Sequence, residues 1–335
     1  MLLDTALSPG FLNDVKEIVT AAESIGFNAV WTSETQHDPF LPGPLISENT
    51  DHLQFGTAIA VSFARSPTNL AYTAWDLAQM SGGRFILGLG TQVKAHIVRR
   101  FGMPWPDSVV GKLREQIQAI RALWDTWQTG KPLNFRSDYY KLTLMSPFFN
   151  PGPIQSPDIP IYIAGTNIGL ASLAGEVADG FLVHPFHSPE YLKEVLLPAI
   201  EKGAHAAGRD LSDVTISTTA FTTTSPEESM FARAQIAFYA STPSYRRVMA
   251  HHGWEDEAQE LSRLASRSEW GDMPALISDK MLDTFATAAP EEELGEALLE
   301  RYAGLADRIS LYTPFIPGER DAFWVNLIGK IRENE

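Results

Sequence analysis

The sequence predicts a (β/α)8 barrel, on three observations. Short apolar runs with strand character alternate with longer stretches of helical period along nearly all of the 335 residues. Eight such runs can be counted, most of them separated by a helical segment. Alternation of this kind implies parallel strands joined by right-handed crossovers, and eight units close into a barrel of the size seen here. A doubly wound open sheet is the competing architecture for the same pattern.

The elements follow in order. "LLDTAL" (2–7) is the first strand, and the next segment places Phe11, Val15, Ile18, Val19 and Ala22 on one face before closing at Gly26. "FNAVWTS" (27–33) is the second strand and "LQFGTAIAVSF" (53–63) the third, after which Pro67 opens a helix to about Ser81. "RFILGLG" (84–90) is apolar on both faces, as a fully buried parallel strand must be. From Ser108 to Thr129, Leu113, Ile117, Ile120, Leu123, Trp124 and Trp127 recur every three or four residues and mark one buried helix face. "IPIYIAG" (159–165), "GFLVH" (180–184), "VTISTTAFTTT" (214–224) and "DRISLYTPF" (307–315) complete the eight. The chain 1–335 is expected to form one domain with insertions at about 130–158 and 242–289, and barrel insertions tend to cover the C-terminal mouth. Phe148, Phe149, Trp254 and Trp270 in them are candidates for an apolar lid.

A net charge of −15 repels a phosphate backbone, so nucleic acid is not an expected partner. With no cysteine, disulfides, thiolate nucleophiles and Cys-based metal sites are excluded. The N-terminus lacks a basic region and an extended apolar core, and no later run reaches the roughly 18 apolar residues of a membrane span. A soluble, cytoplasmic protein with no membrane partner is expected.

Three clusters lie just beyond strand ends, where barrel sites form. Lys94, His96, Arg99 and Arg100 follow Thr91 and Gln92 after the fourth strand. They read either as a solvated helix face or as a wall that steers an anion to one place on an acidic protein. Gly165, Thr166, Asn167 and Gly169 separate the fifth strand from its helix, where free backbone N–H groups suit a phosphate and where a plain capping turn is the other reading. Glu34, His37 and Asp38 follow the second strand and can bind or move protons. No second His-rich segment pairs with them, so no metal is expected there. His251 and His252 are expected to face solvent, and no G-x-S-x-G elbow is present.

On these segments the chain resembles the luciferase-like monooxygenase superfamily, and within it the oxidoreductases that use the deazaflavin coenzyme F420. The resemblance spans nearly the whole chain and rests on "GFNAVWTSE" (26–34), "GTAIAVSFARSP" (56–67), "LAQMSGGRFILGLGTQVKAHIVRRFGMPW" (77–105), "IPIYIAGTNIGLASLAGEVADGFLVH" (159–184) and "KMLDTFATAAPEEEL" (280–294). It implies a barrel with a flavin or deazaflavin across its C-terminal mouth. A cis peptide in the third strand, at Ala58–Ile59 or one residue later, would support the ring. Thr91, Gln92 and His96 would line the cofactor's side chain or ring edge, and Gly165, Thr166, Asn167 and Gly169 would take its phosphate. It also implies a homodimer. F420 carries a phosphate and a polyglutamate tail, both anionic, and a basic patch at the mouth suits them. Many relatives place a His after the acidic residue that ends the second strand; here Thr35 follows Glu34, and His37 arrives two residues late. The function implied is hydride transfer between F420 and a small organic substrate, with Glu34 or His37 as proton donor. The alternatives are an FMN-dependent monooxygenase and a barrel that binds a flavin or deazaflavin without catalysis.

Overall fold

The computed structural model describes residues 1–7 and 12–333. Phe11, assigned above to the first helix face, lies outside them. The eight expected strands form a ring: β1 (Leu2–Ala6), β2 (Ala29–Thr32), β3 (Gln54–Thr57, resuming at Ala60–Val61), β4 (Phe85–Gly90), β5 (Ile161–Gly165), β6 (Gly180–Val183), β7 (Thr215–Thr223) and β8 (Arg308–Leu311). Each pairs in parallel with the next, and β8 returns to β1 through Leu3 opposite Ile309. The sheet is therefore closed, and the open-sheet alternative is removed.

Local chemistry sets the helix ends. Ser66, Ser108 and Asn167 accept hydrogen bonds from the N–H three residues on and start the helices α3 (Pro67–Ser81), α5 (Val109–Thr129) and α6 (Ile168–Val177). The first helix, α1 (Val15–Ile25), ends where Gly26 takes φ +106°, a conformation that a side chain would resist. Val19, Leu70, Trp75, Ile117, Leu123, Ile200 and Leu327 fill the layer between ring and helices.

The lumen is packed separately. Ala29, Trp31, Ile86, Tyr162 and Leu182 fill it, and Ala58, Ile59 and Ala164 lie half-buried on top of this plug. At the lumen's lower end Asp4 accepts two hydrogen bonds from Arg308, at 2.7 and 2.8 Å, and one from the Trp31 indole at 2.9 Å. Arg308 also donates to Gln54 at 2.7 Å.

Two regions depart from the expected outline. Residues 130–158 run along the barrel flank: they form a small hairpin (Phe135–Arg136 with Lys141–Leu142), and Tyr72 and Trp75 of α3 donate to the carbonyls of Phe149 and Gly152. The later insertion packs on the helix Pro226–Ala240 and reaches the β6 end of the mouth, where Phe285 stacks on Phe186 at 4.8 Å. It also adds a ninth parallel strand, Ala286–Ala288, on the outer edge of β7.

Candidate active site at the C-terminal mouth

Strand β3 carries one more residue than β4 between their paired segments, since Gly56 faces Ile86 while Ala60 faces Leu89. The resulting bulge turns Ala58 and Ile59 upward, and the Ala58–Ile59 peptide is cis. Glycines in β4 make room for it. A Cβ on Gly88 would lie 1.7 Å from the Thr57 carbonyl oxygen, and one on Gly90 would meet the Ile59 side chain at 2.7 Å. These two glycines thus serve the neighbouring strand.

Loop residues after β2 hold the bulge in place. Ala58 N–H donates to the Thr32 carbonyl at 2.6 Å and Glu34 N–H to that of Ile59 at 3.2 Å. The Glu34 carboxylate accepts from Val61 N–H at 2.6 Å and from Arg65 at 2.5 Å, and Arg65 bonds Asp38 at 2.8 Å. The Glu34 side chain is 7% exposed, so this ion pair is largely shielded from water. The opposing carboxylates hold the Arg65 guanidinium in its charged form against the cost of burial. Gln116 of α5 braces the same turn by donating to the carbonyls of Ser62 and Arg65, each at 3.0 Å. Arg65 and Gln116 escaped the sequence reading. The available signal was an isolated Arg directly after an apolar strand whose neighbour ends in two acids.

Along the next side of the mouth, Thr91 is buried, and Gln92 takes φ +56° and turns its side chain back to cap Val93 N–H at 3.0 Å. The short helix α4 (Lys94–Arg99) follows, anchored by Ile97, with Lys94, His96, Arg99 and Arg100 exposed. Arg100 donates to the Thr35 carbonyl at 2.6 Å, which ties this helix to the loop bearing His37. His37 is exposed, and neither Lys94 nor Arg99 has an ion-pair partner among the described residues.

Beyond β5, Asn167 caps Leu170 N–H at 3.0 Å and leaves the N–H groups of Ile168 and Gly169 at the helix tip. Thr166 is held by its carbonyl, which accepts from the Tyr191 hydroxyl at 2.9 Å. Gly165 has a packing role: a Cβ there would lie 2.8 Å from that of Leu170, so the glycine lets the helix turn back closely on its strand. Glu34, Ala58, Ile59, Thr91, Gln92, Gly165, Thr166, Asn167 and Gly169 therefore share the arc from β2 to β5, with His37 and His96 outside it on exposed segments.

The opposite arc is aromatic and enclosed. His184, just after β6, accepts from Phe186 N–H on Nδ1 at 3.1 Å, which leaves Nε2 to donate to the Tyr245 hydroxyl at 3.0 Å. Burial, with the neighbouring His187, pulls His184 down to about 3. Burial likewise lowers His187 to about 4, and its ring accepts from Thr218 at 3.1 Å. Both imidazoles are neutral at ordinary pH. Of the aromatics expected to form a lid, Trp254 is buried against His252 and Phe285, Trp270 packs on Phe238, and Phe148 and Phe149 sit on the flank beside α3.

Residues 4–308 match the luciferase-like monooxygenase family. The chain belongs to this family. An uncharacterized protein of Mycobacterium tuberculosis is 42% identical over 307 residues, covering 90% of both chains. An F420-dependent glucose-6-phosphate dehydrogenase of Amycolatopsis mediterranei is 31% identical over 214 residues, 60% of this chain and 62% of that one. The coenzyme F420-dependent tetrahydromethanopterin reductase of Methanopyrus kandleri superposes with a TM-score of 0.80 at 20% identity, over 99% of each chain. This luciferase-like barrel is thus of an oxidoreductase type, and among its described residues no helix is long and apolar enough to cross a membrane.

Proposed function

We propose that this luciferase-like protein is an F420-dependent oxidoreductase that moves a hydride between the cofactor and a small organic substrate. The observation that carries the reading is the pair of exposed cations, Lys94 and Arg99, with no ion-pair partner among the described residues, beside the mouth of a chain whose net charge is −15. An acidic protein that leaves cations unmatched beside one opening attracts anions there. The F420-dependent relative of Amycolatopsis mediterranei lends support.

The residues fit such a group. Ala58, Ile59 and Ala164 offer a small apolar floor for a planar ring. The tip of α6 offers N–H groups to a phosphate, and a Cβ at Gly169 would crowd Asn167 Oδ1 and Val110 there, each at 3.3 Å. Lys94 and Arg99 would meet a polyanionic tail. When bound, F420 supplies the centre that gives or takes a hydride. Glu34 enters as the residue that fixes the floor, because a proton on its carboxylate would disrupt the bonds from Val61 and Arg65. His37, exposed on the same loop, is the side chain free to carry the proton that accompanies the hydride.

The deciding experiment titrates cofactor-free protein with F420 and, separately, with FMN, following tryptophan fluorescence at low and moderate salt. Tight F420 binding that weakens with salt is expected. Preference for FMN, with no salt dependence, would reassign the site to flavin-dependent oxygen chemistry. Binding of neither would remove the cofactor reading.

A further inference from the structure

We propose that Glu190, Glu194 and His251 form a binding site for a divalent transition metal of the zinc class, which latches the late insertion to the barrel. The site is separate from the cofactor reading above. Glu190 and Glu194 lie on successive turns of the segment that follows β6, where a short helix (Pro189–Tyr191) runs into a wider π-type turn (Leu192–Leu196). His251 ends the insertion helix Arg246–His251. Its Nε2 lies 3.5 Å from Glu194 and 3.7 Å from Glu190, and one ligand atom from each residue falls within 4.8 Å of the others.

Three features distinguish this trio from a surface ion pair. The His251 Nε2 atom is buried and makes no hydrogen bond, although it faces both carboxylates. Its separation from the oxygens is close to the spacing of about 3.4 Å expected between ligands on a tetrahedral ion with bonds near 2.0–2.1 Å. The adjacent His252 ring, only 7% exposed, is held through Nε2 by Ser188 at 2.9 Å and turns Nδ1 toward the second oxygen of Glu190 at 3.9 Å, beyond hydrogen-bond reach. A buried imidazole fixed at one nitrogen and aimed at a ligand carboxylate is the kind of support that orients metal ligands. Lys280, whose charge is felt at His252, makes no ion pair with either glutamate among the described residues. Sequence reading expected both histidines in solvent; instead His252 is packed between Trp254 and Phe285 and His251 stands edge-on to Tyr191.

One imidazole and two carboxylates, without thiolate, suit Zn2+ and its neighbours in the first transition row better than Mg2+. Both glutamate side chains are 58% exposed, so an ion can enter from solvent and a water can complete its shell. Bound there, it would join the insertion to the β6 segment next to the Tyr245–His184 and Phe285–Phe186 contacts that close this side of the mouth.

The test is isothermal titration of the chelator-treated full chain with Zn2+, with Mg2+ as control and Co2+ as a spectroscopic substitute. Expected are one Zn2+ per chain, no Mg2+ heat, d–d absorption from bound Co2+ and a raised melting temperature with Zn2+. Glu190→Gln/Glu194→Gln should weaken Zn2+ binding at least about tenfold without loss of folding, since both side chains are exposed. His251→Ala should do the same, and the glutamine pair decides the matter if that variant fails to fold. Unchanged Zn2+ affinity in the glutamine pair, or no stoichiometric binding by the parent chain, would overturn the site.

Discussion

At the lower end of the lumen Asp4 and Arg308 close on each other with every polar atom engaged, whereas at the upper end Lys94 and Arg99 project into solvent with no ion-pair partner among the described residues. Both are charged groups on one barrel, yet their surroundings give them opposite uses. A charge inside the lumen is tolerable only because its partner is there, so it holds the fold and has nothing left to offer a ligand. An exposed cation contributes little to folding and keeps its field for whatever arrives. The β6 side of the mouth behaves like the lumen: His184 and His187 are enclosed and stay neutral.

The contrast is broken most directly at its enclosed end. Asp4→Ala should cost about 3–5 kcal/mol, because it strands the Arg308 guanidinium, and urea unfolding would show it. A loss below about 1 kcal/mol would mean that the lumen is wetter than its packing indicates. Next comes the acid response. The folded values of His184 and His187, about 3 and about 4, lie below the ordinary 6.5, so between these limits the unfolded chain binds more protons. Their contribution to stability is complete above about pH 6.5 and is lost as the pH falls toward 4 and 3. His184→Gln should flatten that decline in a series of melts from pH 7 to pH 4, and an unchanged slope would show that the ring is not held neutral.

At the open end, Lys94→Ala/Arg99→Ala should leave the melting temperature in place and weaken F420 binding about tenfold at low salt, the sum of two exposed ion pairs. Equal affinity in parent and variant would reduce these side chains to ordinary helix surface. The smallest effect is expected at Asn167, where Ala would remove the cap on Leu170 N–H at a cost of about 1 kcal/mol. A fall in F420 affinity beyond that of an alanine elsewhere on α6 would sharpen the comparison, by showing that the cap also presents the helix tip.

Much of the fold was legible because it is written in local terms. The runs around Val30, Phe85–Gly90 and Ile161–Gly165 became strands, and Ser66, Ser108 and Asn167 capped helices where a polar residue precedes an apolar period. The position of the candidate site was legible too, since strand ends in a parallel barrel share one face. The reasons for its residues were less so. Gly165 looked like an opening for a phosphate and also lets Leu170 pack closely, and Gly88, inside an apolar strand, makes room for the Thr57 carbonyl. Arg65 drew no notice in the sequence and is the partner of Glu34.

By itself, then, the sequence determined the alternation of strands and helices, the absence of thiol chemistry and the collection of cations after β4, all of which follow from residue type and short-range spacing. Only the tertiary structure decided which charges are consumed by partners and which remain free. It also turned His251 and His252 from expected surface residues into packed rings beside Glu190, and laid residues 130–158 along the flank. The physical reason is that pairing and burial depend on atoms tens or hundreds of positions apart, as with Asp4 and Arg308, and such distances are set by closure of the ring.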